Sequence, residues 1–365
     1  MNQTTKTVLV YSPKYLLHKT GSDHPEVPSR LRVIKKELKK SGILTNKNCL
    51  LVEPEPASID DLKLVHDVGY IHVIKQVCSC GGGMLDKEDT VVSSESYEVA
   101  RLAAGGVLKA VDLVMNKKCN NGFAFVRPPG HHAGSNYPMG FCVFNNVAVA
   151  AAHLLKNYGL ERILILDIDV HHGNGTQEIF YNNKKVLYIS IHEDPIDFPL
   201  TGFADEVGEG KGQGYSVNVP LPYGSDDKIY LTAFNDVVAP IINQFQPQFI
   251  LISAGFDSHY KDPIGNLYVS SRSYMKIFDF VLEAASKFCQ GKVVAVLEGG
   301  YDLAHLGKLA CGVIAKMAEI PYSFTDKPYC ASLKVRKKAT KMLSQIEKVQ
   351  MKFWNITQET FVKKC

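Results

Sequence analysis

Four short apolar runs in this chain each end in a polar cluster. Residues 122–126 lead into Arg127-Pro-Pro-Gly-His-His132, and 163–166 into Asp167-Ile-Asp-Val-His-His-Gly-Asn174. Residues 249–252 lead into Ser253-Ala-Gly-Phe-Asp257, and 293–297 into Glu298-Gly-Gly-Tyr301. Apolar runs without polar alternation predict strands buried on both faces. A fifth strand-like segment, Val8-Leu-Val10, is followed by a loop containing His24-Pro-Glu-Val-Pro-Ser-Arg30 and by a helix within residues 1–45. Helical patterns cover 59–80, 94–116, 146–157, 228–245, 271–289 and 303–318. Gly81-Gly-Gly83 separates the first two, and Gly159 is a stop signal for the third. Strands alternating with helices predict right-handed crossovers and one doubly wound parallel sheet. Ligands of such sheets bind beyond the carboxyl ends of the strands, so the four polar clusters are expected to converge there.

Asp167, Asp169 and His171 fall at i, i+2 and i+4 at a strand end, which turns all three side chains to one side. Two carboxylates so close would repel, and burying them unpaired is costly. A divalent cation removes both problems, with Asp169 and His171 as one oxygen and one nitrogen ligand and Asp257 as a second oxygen. Three protein ligands and an open position match a catalytic zinc site. An Asp–His pair at a strand end is also a common hydrogen-bonded structural feature, and the other clusters decide between the two. A two-metal site of the arginase type needs further carboxylates, yet Gly173 stands two residues after His171 and His259 two after Asp257.

His131 and His132 are adjacent in a loop stiffened by Pro128-Pro-Gly130. A general base needs an orienting partner on its far nitrogen. Asp167 is the partner expected for one histidine and Asn174 the candidate for the other. An Asp partner keeps its histidine charged to higher pH and a neutral Asn does not, which would divide the pair into a base and an electrostatic or acid role. Tyr301 follows two glycines, Gly299 and Gly300, and its phenol could donate to the oxyanion formed when water attacks a carbonyl. Taken alone, it would read as a packed surface aromatic.

Composition adds limits. Of the 365 residues, 45% are apolar and 21% charged, as in a soluble globular protein. No run is apolar enough to span a membrane, and the polar N-terminus lacks the apolar core of a signal peptide. The nine cysteines are scattered, which predicts reduced thiols in a cytoplasmic setting. The net charge of +4 is uneven: residues 330–365 hold nine Lys/Arg and two Glu, leaving the body slightly acidic and not built for nucleic acid. Past a composition shift near Pro321–Pro328, Ala339, Met342, Ile346, Val349 and Phe353 fall at helical spacing on a basic segment. We therefore expect a catalytic unit over 1–325 and a basic helical tail over 326–365 docked on it by that stripe. The alternative is a contact surface for an acidic partner or nucleic acid.

The motifs together resemble the histone deacetylase family within the wider arginase/deacetylase fold, over roughly residues 8–320. The resemblance rests on the clusters above, His24-Pro-Glu-Val-Pro-Ser-Arg30 and Gly140-Phe-Cys142, all in the family's order. It implies a single-domain α/β fold with a central, mostly parallel, about eight-stranded sheet and helices on both faces. It implies zinc on Asp169, His171 and Asp257, with iron(II) as the alternative ion. It implies that His131 and His132 flank the attacking water and that Tyr301 polarises an acetyl carbonyl. Gly140, Phe141 and Phe198 would wall a tunnel for an acyl-lysine stem, and Arg30 would sit at its inner end, where acetate collects. Potassium is expected near Asp167, Asp169, His171, Ser190 and Ile191, and a second near Phe180, Asn183, Val186 and Tyr215, largely on backbone carbonyls. Asn174 stands where one branch of the family has Asp, so the chain resembles the class II and bacterial or archaeal members. Ile264 occupies the position where polyamine-selective relatives carry Glu, which favours an acetyl-lysine peptide or protein as substrate. Glu95, expected near the tunnel mouth, keeps an acetylated amine as the alternative. An acyl-lysine-binding module without turnover is the reading from another class, and an oligomer remains open.

Overall fold

The structure, a computed structural model, describes residues 6–87 and 89–356. Among the described residues ten strands form: β1 Thr7–Val10, β2 Cys49–Val52, β3 Gly82–Met84, β4 Val91–Ser93, β5 Asn121–Ala124, β6 Ile163–Asp167, β7 Val186–Glu193, β8 Ser216–Leu221, β9 Phe249–Ala254 and β10 Val293–Leu297. Eight of them make one sheet in the order β2-β1-β5-β10-β9-β6-β7-β8, every pairing parallel. β3 and β4 form a separate antiparallel pair. The four strands predicted from the apolar runs, β5, β10, β9 and β6, are adjacent at the centre of the sheet. Every residue in them is buried. Side chains alternate between faces along a strand, so both faces of the centre are covered.

The helices are α1 Ser29–Lys40, α2 Ile59–Leu62, α3 Val68–Ser79, α4 Ser96–Met115, α5 Asn146–Asn157, α6 Asn174–Phe180, α7 Asp227–Ala233, α8 Ala239–Phe245, α9 Ser271–Cys289, α10 Leu306–Met317 and α11 Leu333–Gln350. α4 packs on α5, whereas α10 packs on both α1 and α9. None of these helices is long and apolar enough to cross a membrane.

Several elements differ from the sequence expectation. The helix expected over 59–80 is two. α2 opens with a capping box between Ser58 and Asp61, and residues 63–67 then turn so that His66 faces inward. His66 Nε2 accepts the Asn145 N–H at 2.9 Å and its Nδ1 lies 2.9 Å from the Gly134 carbonyl, ties a continuous helix would forgo. The 228–245 helix is interrupted by a π-helical turn, Phe234–Val238, just before Pro240. The 303–318 helix begins only at Leu306. β2, β7 and β8 escape the apolar-run signal: β2 is partly exposed at the sheet edge, while the other two carry Ser190, His192, Ser216 and Asn218. α11 lies against β8, but in a slightly different register from the predicted stripe. It buries Ala339, Leu343, Ile346 and Gln350, leaving Met342, Val349 and Phe353 only partly covered. The tail's last part, 357–365, lies outside the described residues.

Candidate active site

β6 and β9 pair with Asp167 opposite Ser253, so the loops after them leave the sheet side by side. One potential ligand atom each from Asp169, His171 and Asp257 lies within 4.8 Å of the others. Backbone N–H groups fix the carboxylates. Asp169 accepts from Gly299 N (2.8 Å) and His171 N (3.0 Å), and Asp257 Oδ1 accepts from Val170 N (2.8 Å). Asp257 Oδ2 is buried without a hydrogen-bond partner. An orphaned, buried carboxylate oxygen is costly unless something positive meets it. Burial, with Asp169 and Asp262 nearby, pushes the Asp257 carboxyl well above its ordinary range. Burial acts the same way on Asp169, but His131 and His171 outweigh it and hold that group low. The two-oxygen, one-nitrogen donor set and the orphan oxygen fit a divalent cation of the zinc type.

The histidine pair is held by different partners. His131 Nδ1 lies 3.1 Å from Asp167 Oδ2, which also accepts from the Tyr188 hydroxyl at 3.1 Å. His132 Nδ1 lies 2.7 Å from Asn174 Oδ1, and the Asn174 amide nitrogen donates to Tyr137 Oη, which fixes the oxygen toward the ring. Burial disfavours charge on both rings. For His131, Asp169 and Asp167 overcome that and lift its pKa to about 10. His132 is bonded to neutral Asn174, and burial together with His131 and His171 outweighs the pull of Asp169 and pushes it well below its ordinary value. His132 is therefore neutral with its proton on Nδ1, leaving Nε2 with a free lone pair.

These residues sit in a cleft of about 210 Å³ lined also by Pro129, Gly140, Phe141, Phe198, Ile264, Gly299 and Tyr301. Phe198 stands edge-on to His132 (5.0 Å between centroids) and His171 (5.4 Å), and Phe141 edge-on to Tyr301 (5.8 Å). Phe141 adopts φ +68°, rare for a bulky residue. At Gly140, φ +53°, a Cβ would fall 2.5 Å from His132 Cδ2. The Tyr301 backbone N–H is gripped by Asp262 Oδ2 at 2.6 Å.

Behind the cleft, buried Arg30 lies with its guanidinium carbon 4.7 Å from the Tyr301 ring centroid. It donates to the carbonyls of Gly300 (2.7 Å) and Glu298 and to Glu26 (3.0 Å). Glu26 also takes two bonds from Arg127. Burial would raise the Glu26 pKa, but Arg127 and Arg30 bring it down to about 2. Glu298 Oε2 accepts the N–H groups of Gly130 and His131 and so holds the histidine loop.

The cation positions expected from the resemblance fall in two places. Ser190 pairs with Asp167 across β6 and β7 and is followed by Ile191. Phe180, Asn183, Val186 and Tyr215 surround the start of β7, where Asn183 N donates to the Phe180 carbonyl and Tyr188 N to that of Tyr215. Glu95 is the residue the structure does not bring in. It is exposed at the start of α4, bonded by the Ser93 and Ser94 hydroxyls, and does not line the cleft. Asp89 lines it instead. A single Asp in a polar loop carries no periodic signal; Glu26 was also missed, although its i, i+4 spacing from Arg30 was a signal that could have found it.

The sequence profile of the histone deacetylase domain matches residues 24–317. A probable deacetylase of Archaeoglobus fulgidus is 41% identical over 357 residues, covering 95% of this chain and 98% of that one. Histone deacetylase 15 of Arabidopsis thaliana is 38% identical over 96% of this chain, which spans 63% of the plant protein. A histone deacetylase-like amidohydrolase of Pseudomonas aeruginosa is 38% identical, over 84% of this chain and 80% of its own. The crystal structure of an HDA15 HD domain superposes with a TM-score of 0.86 at 36% identity, covering 96% of both chains. A single-domain α/β fold with a parallel eight-stranded sheet and this site define a hydrolase of the deacetylase type. The chain belongs to the histone deacetylase family.

Proposed function

We propose that the protein hydrolyses the amide of N-acetyl-lysine in a peptide or protein, releasing acetate and the free amine. One observation carries this reading: two adjacent histidines with different partners, Asp167 on His131 Nδ1 and the Asn174 amide oxygen on His132 Nδ1, at the base of an aromatic-walled cleft. Asp169, His171 and Asp257 would hold a zinc ion, or iron(II) in its place; when bound, such an ion activates water and polarises an amide carbonyl.

His132 Nε2 removes a proton from the attacking water and returns it to the departing amine nitrogen. His131, kept charged by Asp167, stabilises negative charge and does not exchange its proton. Tyr301 donates its hydroxyl hydrogen to the developing oxyanion, and Arg30 lies behind it on the side where acetate collects. Phe141 and Phe198 exclude water along the methylene stem. Potassium at the two carbonyl-rich positions around β7 would be structural. Residues 1–325 would be the catalytic unit, with the described part of the tail, 326–356, docked on it.

The second reading is an acetylated amine substrate, which Asp89 in the cleft lining would attract; Ile264, apolar at the rim, opposes it. The test is acetate release by zinc-loaded protein from acetyl-lysine peptides, N-acetylputrescine and N-acetylspermidine, with Asp257→Ala as control. Preference for peptides that vanishes in the control is the expected outcome. Preference for the small amines would replace the substrate assignment, and silence on all three with metal bound would favour a binding module.

A further inference from the structure

Outside the cleft, another group of side chains able to ligate a metal gathers beyond the carboxyl ends of the central strands. His259 lies in the loop after β9, and Asp302 and His305 lie between β10 and α10. One potential ligand atom from each is within 4.8 Å of the others. None of the three lines the catalytic cleft. The two imidazole centroids are 5.1 Å apart. Two imidazoles sharing one tetrahedral ion at about 2.1 Å per bond have centroids about 5 Å apart.

The surroundings prepare the donors. Asp326 Oδ2 lies 2.7 Å from His259 Nε2, and the carboxylate is itself fixed by the Ser271 hydroxyl (2.8 Å) and N–H. A carboxylate on one ring nitrogen sets the tautomer and leaves the other nitrogen as the donor to a metal. That other nitrogen, His259 Nδ1, has only a long contact from Lys261 N at 3.4 Å. His305 Nδ1 meets Asp302 Oδ2, while Asp302 Oδ1 accepts Ala304 N at 3.1 Å. His259 is 1% exposed and His305 and Asp302 are 23% and 20% exposed, so an ion could reach a site whose back wall is dry.

We propose that His259, Asp302 and His305 form a second site for a transition-metal dication of the zinc, cobalt or nickel type, oriented by Asp326. Two imidazoles and one carboxylate select such ions over magnesium, calcium or potassium. The bound ion would join the loop carrying Tyr301 to the loop after β9. Through Asp326, it would also join the segment ahead of α11. The proposal does not depend on what the cleft holds.

The experiment is metal content of the full chain, stripped with chelator and dialysed against zinc, for wild type, His305→Ala, Asp257→Ala and the double variant. With both sites filled, wild type is expected to hold about two ions per chain, each single variant about one and the double variant none. The deciding quantity is the loss of about one ion from wild type to His305→Ala, whatever Asp257→Ala does. Equal metal content in wild type and His305→Ala overturns the second site. Loss in Asp257→Ala reports separately on the cleft. Should His305→Ala not fold, by circular dichroism, His305→Gln gives the same comparison. Cobalt absorption at the second site must also persist in Asp257→Ala and vanish in the double variant; its persistence there would equally overturn the assignment.

Discussion

A methyl group at Gly299 would lie 1.8 Å from Asp257 Oδ2 and 2.6 Å from Asp169 Oδ2. Both oxygens belong to proposed ligand residues, and the contact is with carboxylates held by backbone N–H groups, not with the end of a flexible side chain. Gly299→Ala is therefore expected to lower metal affinity at the cleft by about 10- to 100-fold, a typical effect of disturbing groups that orient a ligand. Metal content at limiting free zinc checks it; unchanged uptake would remove Asp257 or Asp169 from the ligand set. Tyr301→Phe keeps the ring packing but loses the proposed donor. Turnover is expected to fall about a hundred- to a thousand-fold with metal binding intact. Near-normal turnover would leave Tyr301 without its role.

At the scale of elements, the break between α2 and α3 ties that region to the histidine loop and to α5 through His66. Burial lowers the His66 pKa to about 4 from an ordinary 6.5, against the pull of its backbone hydrogen bonds. The unfolded chain thus binds more protons between those values, so stability rises with pH across that window. The contribution is present above about pH 6.5 and is lost as pH falls toward 4, at up to about 1.4 kcal/mol per pH unit. Denaturant midpoints from pH 7 to 5 should fall more steeply for wild type than for His66→Gln. Equal slopes would show that His66 charges freely in the folded state. The same break shows why periodicity alone overextended the helix. Residues 59–80 are helical in pattern, but hydrogen bonds to residues 134 and 145 make a turn the better arrangement.

For the whole molecule, α11 joins the tail to β8. Leu343 is buried, while Arg336 pairs with Asp226 at 3.1 Å and Lys338 with Asp194 at 2.8 Å. The two pairs are partly exposed and contribute little beside the apolar contact. Leu343→Ala is expected to cost about 2–5 kcal/mol in denaturant unfolding. A loss under about 0.5 kcal/mol would mean that α11 is not a cooperative part of the fold. The opposite face exposes Lys334, Lys337, Lys341, Lys348 and Lys352, so docking leaves the basic side of the helix in solvent.

The amino-acid order by itself determined the four central strands and the clusters at their ends, because strands buried on both faces are apolar throughout and their motifs are contiguous. It could not reach β7 and β8, whose polar side chains find partners in other segments of the folded molecule: His192 with the Gly202 carbonyl, and Asn218 with Gln177. Nor could it choose which histidine receives Asp167, or that Asp89 and not Glu95 lines the cleft. Those outcomes depend on loops far apart in the chain meeting within a few ångströms, and the meeting is set by sheet order and packing, which no local pattern encodes. The paired histidines are pushed in opposite pKa directions for that reason: two identical side chains, adjacent in sequence, are separated by the partners that the tertiary structure brings to each.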